Sequence, residues 1–172
     1  ASAADLQQVL ELAARAPGQL AGATGSAFVT FDEEQDRLHL DMAWGLSDRY
    51  VNGLRQRIDA GISGGRCRTC SPLKAQVAGD CPLFDGMQHL AQADGIQSLA
   101  CVPLYRERKR EGILTAYFSS PDGPPAEQIQ LLNIVMTEIA AALEGVRLRQ
   151  QQMTALYTVE RLTRVEQDLD RL

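Results

Sequence analysis

At 172 residues and 45% hydrophobic content, the chain is long enough for one domain with a real core. Its 22 acidic residues against 17 basic give a net charge of −5, with no electrostatic footprint for nucleic acid or an anionic membrane. No apolar run approaches the roughly 20 residues a membrane span needs, so the sequence reads as a soluble piece with no direct membrane contact.

The chain opens on Ala1 with no signal peptide, as expected of an internal fragment of a larger protein whose membrane anchor, if any, lies elsewhere. Leu6, Val9, Leu10 and Ala13 share one face of a predicted helix from Asp5 to Arg15, which Pro17 and Gly18 should end. Ser26 to Asp32 and Arg37 to Trp44 read as strands joined by an acidic turn. In the second strand Leu38, Leu40, Met42 and Trp44 alternate with polar or small residues, which predicts one buried face. Ser47 suits the N-cap of a short helix reaching Arg57 and burying Val51, Leu54 and Ile58. A glycine-rich loop from Ala60 to Gly65 follows. A second helix is expected from Pro82 to Ala93, with Asp80 or Cys81 at its cap. Gln97 to Tyr105 and Gly112 to Ser119 form the next strand pair, with Arg106 to Glu111 as a solvated turn. After the break at Pro121 to Pro125, the chain from Ala126 to Leu172 reads as one long helix. The order describes an α+β domain, an antiparallel sheet with helices packed on it.

Cys67, Cys70, Cys81 and Cys101 are the only cysteines, spaced C-x2-C-x10-C-x19-C. Cys-x-x-Cys puts two sulfurs within reach of one metal ion, and two more complete a tetrathiolate set. Clustered thiols in a reducing compartment bind metal or do redox chemistry more often than they form structural disulfides. An iron–sulfur cluster, structural zinc, a disulfide pair and unligated buried thiols all stay open at this level. His39 and His89, the only histidines, read as a strand's outer face and a solvated helix face. No Walker loop, Gly-x-Ser-x-Gly or hydrolytic His–carboxylate arrangement is present.

In the long helix, Leu132, Ile139, Val146 and Met153 recur every seven residues, with Val135, Ala142 and Leu156 beside them. Up to about Leu143 this stripe should pack on the sheet. A second stripe, Leu162, Val165, Leu169 and Leu172, is offset from the first, so a phase break is expected between Met153 and Leu162.

The words Ala43-Trp44-Gly45-Leu46, Gln97 to Leu104 and Glu111 to Phe118 resemble a GAF domain over Asp5 to Gly145, and Asp80-Cys81-Pro82 before Gly95-Ile96-Gln97-Ser98 is similar to the module of nitrate-sensor-type histidine kinases. The resemblance implies residues 1–145 as a GAF sensory domain and 146–172 as a coiled-coil signalling helix. It implies a homodimer through the N- and C-terminal helices and a kinase module further along the same chain, with no catalysis in this fragment itself. It favours an iron–sulfur cluster over zinc at Cys67, Cys70, Cys81 and Cys101, and hence sensing of redox state, oxygen or nitrogen oxides. Two alternatives accompany it: a small-molecule-binding or dimerisation module with incidental cysteines, and a thiol enzyme similar to the GAF-type free methionine sulfoxide reductase, with Cys101 or Cys81 attacking and Cys67 or Cys70 resolving.

Overall fold

The computed structural model describes residues 3–32, 37–61, 67, 74–76, 81 and 83–169. Helix α1 (Ala3–Ala21) leads into strands β1 (Gly25–Asp32) and β2 (Arg37–Trp44), then helix α2 (Asp48–Asp59). Strand β3 (Lys74–Gln76), the short helix α3 (Gln88–Ala93), strands β4 (Ser98–Arg106) and β5 (Lys109–Phe118), and helix α4 (Ala126–Leu169) complete the order. The five strands stand in the order β2-β1-β5-β4-β3, with every pair antiparallel.

The sheet separates two apolar layers. On one face Phe28, Val102, Leu104, Leu114 and Phe118 pack against α1 and α4 through Ala13, Leu132, Met136, Ile139 and Leu143. On the other, Val29, Leu99, Ile113 and Tyr117 meet Tyr50, Leu54 and Ile58 of α2, with Leu83, Phe84, Met87 and Ala91 from the approach to α3 and α3 itself. Period-two alternation in β4 and β5 sends neighbouring residues to opposite layers.

Helix α1 does not stop at Pro17; it continues to Ala21 with Pro17 inside it, and Gly22 leaves it at φ +66°. Packing explains the difference. Ala13, Ala14 and Ala16 are buried, the Ser26 hydroxyl donates to the Ala14 carbonyl, and Gly18 lies against Trp44 with no room for a Cβ. These tertiary contacts outweigh a lost main-chain bond.

Strand β2 has the expected bounds but not a single buried face. Phe28 pairs with Met42 and Val29 with Leu40, which leaves Asp41 as the extra residue of a bulge. Leu38 and Leu40 therefore join the α2 layer while Met42 joins the α1 layer. Burial of the Asp41 carboxyl holds its pKa above the ordinary carboxylate value, partly offset by the hydroxyl of Thr30, which donates to it at 2.7 Å, and by His39.

The β4–β5 connection is also tighter than the charged stretch suggested. Glu107 and Arg108 alone form the turn, at φ 47° and 70°, and Arg106 pairs with Lys109. The expected helix from Pro82 is shorter: residues 83–87 are turns and α3 begins at Gln88. β3, a three-residue edge strand, was not foreseen.

Leu132, Ile139 and Val146 of the expected coiled-coil seam are buried inside the monomer. From Leu148 to Gln167 every side chain of α4 is exposed, Met153 and Leu156 included. A different heptad stands free on the outside: Ile134, Ala141, Leu148, Ala155 and Leu162 are all exposed at seven-residue intervals. It runs without interruption into the region of the second stripe. The phase break is the handover from a core-facing stripe to an outward-facing one. By length and composition, α4 between Ala126 and Gln167 is also apolar enough to cross a membrane, which the sequence reading had excluded. Its buried residues from Ile129 to Val146 pack in the domain core.

Candidate functional site

The α2 side of the sheet gathers the chemistry. Ser47 caps α2, its hydroxyl accepting from Tyr50 N at 3.2 Å. The Asp94 carboxylate, just past α3, accepts from Ser47 N at 3.0 Å and from the Ser47 hydroxyl at 2.7 Å. Gly53 lets the two helices meet, since a Cβ there would stand 2.4 Å from a Leu90 methyl. So anchored, α2 presents Tyr50, Leu54 and Ile58 to the sheet; Val51, expected inward, is only half-buried. Helical spacing accounts for it, because Tyr50, Leu54 and Ile58 lie four apart on one face.

Three of the four predicted site cysteines come to this face. Cys67 is buried within the α2 layer, and Cys81 and Cys101 pack half-buried against it. Cys101 stands directly opposite Thr115 across β4–β5, its sulfur 3.8 Å from the fully buried hydroxyl oxygen. Arg110 holds the main chain at Cys67, Nη1 donating to the carbonyl at 2.8 Å. The Cys81 carbonyl accepts from Phe84 N at 2.9 Å and Asp85 N at 3.1 Å, a single turn. Cys81 is therefore separated from the first regular turn of α3, rather than capping it. Cys70, like Arg66 and Arg68, lies outside the described residues. Among the described residues, no three His, Cys, Asp or Glu side chains are grouped so as to hold a metal ion.

Reading the cysteines alone misses the tyrosines. Tyr50 and Tyr117 are fully buried, and among the described residues neither hydroxyl has a partner within full hydrogen-bond geometry, though each phenol acts on the other. Phe84 closes on Tyr117 with ring centroids 6.2 Å apart. Burial raises both phenol pKa values. Tyr50 is pulled back by the neighbouring phenol and pushed up again by Cys81; Tyr117 is raised further by Tyr50, Cys101 and Cys81. Thiols and phenols thus share one low-dielectric space. The signal for Tyr117 was present in the sequence, at the same parity as Ile113 and Thr115. Nor is Arg106 to Glu111 a solvated turn: Arg110 and Glu111 are half-buried and each bonds inward. His39 and His89 are exposed, as read.

Chemically, this face offers soft sulfur donors in apolar surroundings, two buried phenols and a threonine hydroxyl. It is equipped to hold a small group or to change thiol oxidation state.

A family model described as GAF domain matches residues 3–144. Among solved structures, a domain assigned to a two-component sensor histidine kinase protein of Sinorhizobium meliloti 1021 is 17% identical, with 86% of this chain and 96% of that chain covered at a TM-score of 0.63. A GAF domain/HD domain protein of Geobacter sulfurreducens is 16% identical over 84% and 95%, at 0.61. The GAF domain of a two-component sensor histidine kinase from Bacillus halodurans is 14% identical over 84% and 97%, at 0.56. No curated protein sequence matches the chain.

Proposed function

The chain belongs to the GAF domain family, and from that premise we propose that it is the cytoplasmic signal-input domain of a two-component sensor histidine kinase, responding to redox state, oxygen or nitrogen oxides through Cys67, Cys70, Cys81 and Cys101. The observation that carries this reading is the arrival of Cys67, Cys81 and Cys101, from three separate stretches of the chain, on one apolar face. The sensor-kinase descriptions of the Sinorhizobium and Bacillus structures support a kinase module in the same chain.

An all-sulfur donor set in apolar surroundings fits an iron–sulfur cluster in kind, with zinc as the alternative. Closing a four-sulfur site draws on Cys70, because the described residues alone do not form one. A bound cluster would supply one-electron chemistry and reactivity toward oxygen and nitric oxide. The chain's own part is to place the sulfurs, exclude water with Phe84 and Leu99, and fix the Cys67 main chain through Arg110.

The exposed heptad from Ile134 to Leu162 supports a homodimer seam along α4. Such a seam would carry the signal toward the kinase module.

The test is metal and acid-labile sulfide content, with a visible spectrum, on protein purified without oxygen. Iron and sulfide with brown absorbance are expected, and Cys81→Ser should abolish them while leaving a folded dimer. Colourless protein with one zinc makes the cysteines a structural clasp; metal-free protein overturns the metal site. One observation favours a second reading in that last case. The hydroxyls of Tyr50 and Tyr117, buried without a well-formed hydrogen bond among the described residues, suit a small organic ligand with hydrogen-bond acceptors, the cysteines being incidental.

A further inference from the structure

Two consecutive residues of β5 bond on opposite faces of the sheet. Arg110 donates from Nη1 to the Cys67 carbonyl at 2.8 Å and from Nη2 to the Tyr105 hydroxyl at 3.3 Å. Glu111, with its side chain 15% exposed, accepts from Arg147 Nη1 at 2.9 Å and pairs with Arg106. Arg147 directly follows Val146, the last buried residue of α4. The Glu111–Arg147 pair is therefore the last attachment of that helix to the sheet before its exposed length begins.

A bulge makes this arrangement possible. Leu104 pairs with Gly112 and Tyr105 with Arg110, so Glu111 is the extra residue. Unbroken alternation from Leu114 would turn Arg110 toward α4 and Glu111 toward the Cys67 layer. The bulge reverses both. Nor can Gly112 be moved into this role, because a Cβ there would stand 2.8 Å from the Val29 carbonyl oxygen. The side chains are short of slack as well: Glu111 is held by two guanidinium groups, and Arg110 lies over the Tyr105 ring at 5.8 Å.

We infer that Arg110 and Glu111 are positioning residues that couple the Cys67 segment to the exit of α4. The inference rests on reading the α2 face as the input site. A change at the thiols that displaces the Cys67 main chain pulls on Arg110, and the bulge passes the displacement through Glu111 to Arg147, altering how α4 leaves the domain. Coupling between two places is reciprocal, so breaking the far end must loosen the near one.

The reciprocal direction is measurable on the whole chain, reduced and stripped of metal. Maleimide alkylation rates of Cys67 and Cys101 are followed in one sample by peptide mass spectrometry, in the parent protein and in Arg110→Met, Glu111→Gln, Arg147→Met and Arg164→Met. We expect Arg147→Met and Glu111→Gln to speed Cys67 alkylation roughly fivefold or more relative to Cys101, the low end of ordinary site-to-site coupling. Arg110→Met should speed it at least as much, and Arg164→Met, on the exposed length, should leave it unchanged. General loosening of the fold speeds both cysteines together. A Cys67 rate that stays fixed in Arg147→Met, or rises only in step with Cys101, overturns the coupling. Because the assay runs without metal, its outcome is separate from whether a cluster forms.

Discussion

Tyr50 and Tyr117 meet edge to face, ring centroids 5.2 Å apart at 75°, with both hydroxyls sealed from solvent and without a well-formed hydrogen bond among the described residues. A buried hydroxyl without a partner costs about 1–3 kcal/mol. Tyr117→Phe keeps the ring contacts with Tyr50 and Phe84 and removes that cost. We expect it to be neutral or stabilising in urea unfolding of the unliganded chain, against the usual trend for core substitutions. A loss of more than about 1 kcal/mol would mean that the hydroxyl holds an acceptor within the chain itself.

Asp41 supplies a pH signature with a definite sign. Its native pKa lies above the ordinary carboxylate value because burial disfavours the charged form. The native state therefore binds its proton more tightly than the unfolded chain does. Asp41's contribution is most favourable below the ordinary carboxylate pKa and is lost as pH rises through the native value. Asp41→Asn keeps an acceptor for the Thr30 hydroxyl and removes the charge. The variant should be more stable than the parent at neutral pH, and the difference should shrink as pH falls into the carboxylate range. Thermal unfolding of both proteins across that range checks it; a constant difference would remove Asp41 as the cause.

Elements set by local pattern were legible in the sequence. β2 has its predicted bounds, Ser47 caps α2, and the break at Pro121 to Pro125 precedes a long helix. What local pattern cannot show is a change of parity or a choice of partner. The bulges at Asp41 and Glu111 each move side chains to the other face, and nothing in the residues themselves announces an extra one. Pro17 remains helical because its neighbours are buried by β1 and β2, a fact of tertiary structure. Clustering of the thiols along the chain singled out Cys67, Cys81 and Cys101, whereas Tyr50 and Tyr117 share their face through helical spacing in α2 and parity in β5, which only the packing of the two elements brings together. Along α4 the stripe through Leu132 and Ile139 packs in the core as expected, and the burial continues to Val146; the parallel exposed heptad from Ile134 is visible only once the fold shows which face the monomer uses.

Gly18 tests that tertiary override directly. In an isolated helix Gly→Ala would stabilise by about 1 kcal/mol. Here a Cβ would sit 2.5 Å from two ring carbons of Trp44, and the indole is rigid. Gly18→Ala should therefore destabilise the domain, by roughly 1–3 kcal/mol as overpacking does. The single tryptophan reports on it, so denaturant unfolding with an altered native emission spectrum is expected. A stabilised Gly18→Ala with unchanged emission would show that Trp44 does not press on α1.

The outward heptad predicts where the dimer is made. Ile134, Leu148 and Leu162 are 62%, 49% and 62% exposed, each fourteen residues from the next on one line of α4. Most helical stability in proteins comes from packing an apolar face, and a second copy along this heptad would supply that packing to the exposed length. Burying a large aliphatic side chain contributes about 1.5–3 kcal/mol, and a seam of three such positions on each chain is enough to hold two copies together at micromolar concentration. Leu148→Glu and Leu162→Glu together should therefore give a monomer by sedimentation, with the domain still folded, because neither residue touches the core. The matching control is Leu132→Ala. That residue is fully buried between sheet and helix, so its loss should cost about 2–5 kcal/mol of domain stability. A dimer that survives Leu148→Glu with Leu162→Glu would place the interface away from this heptad. A dimer lost in them with domain unfolding unchanged would fix the seam on the outward heptad.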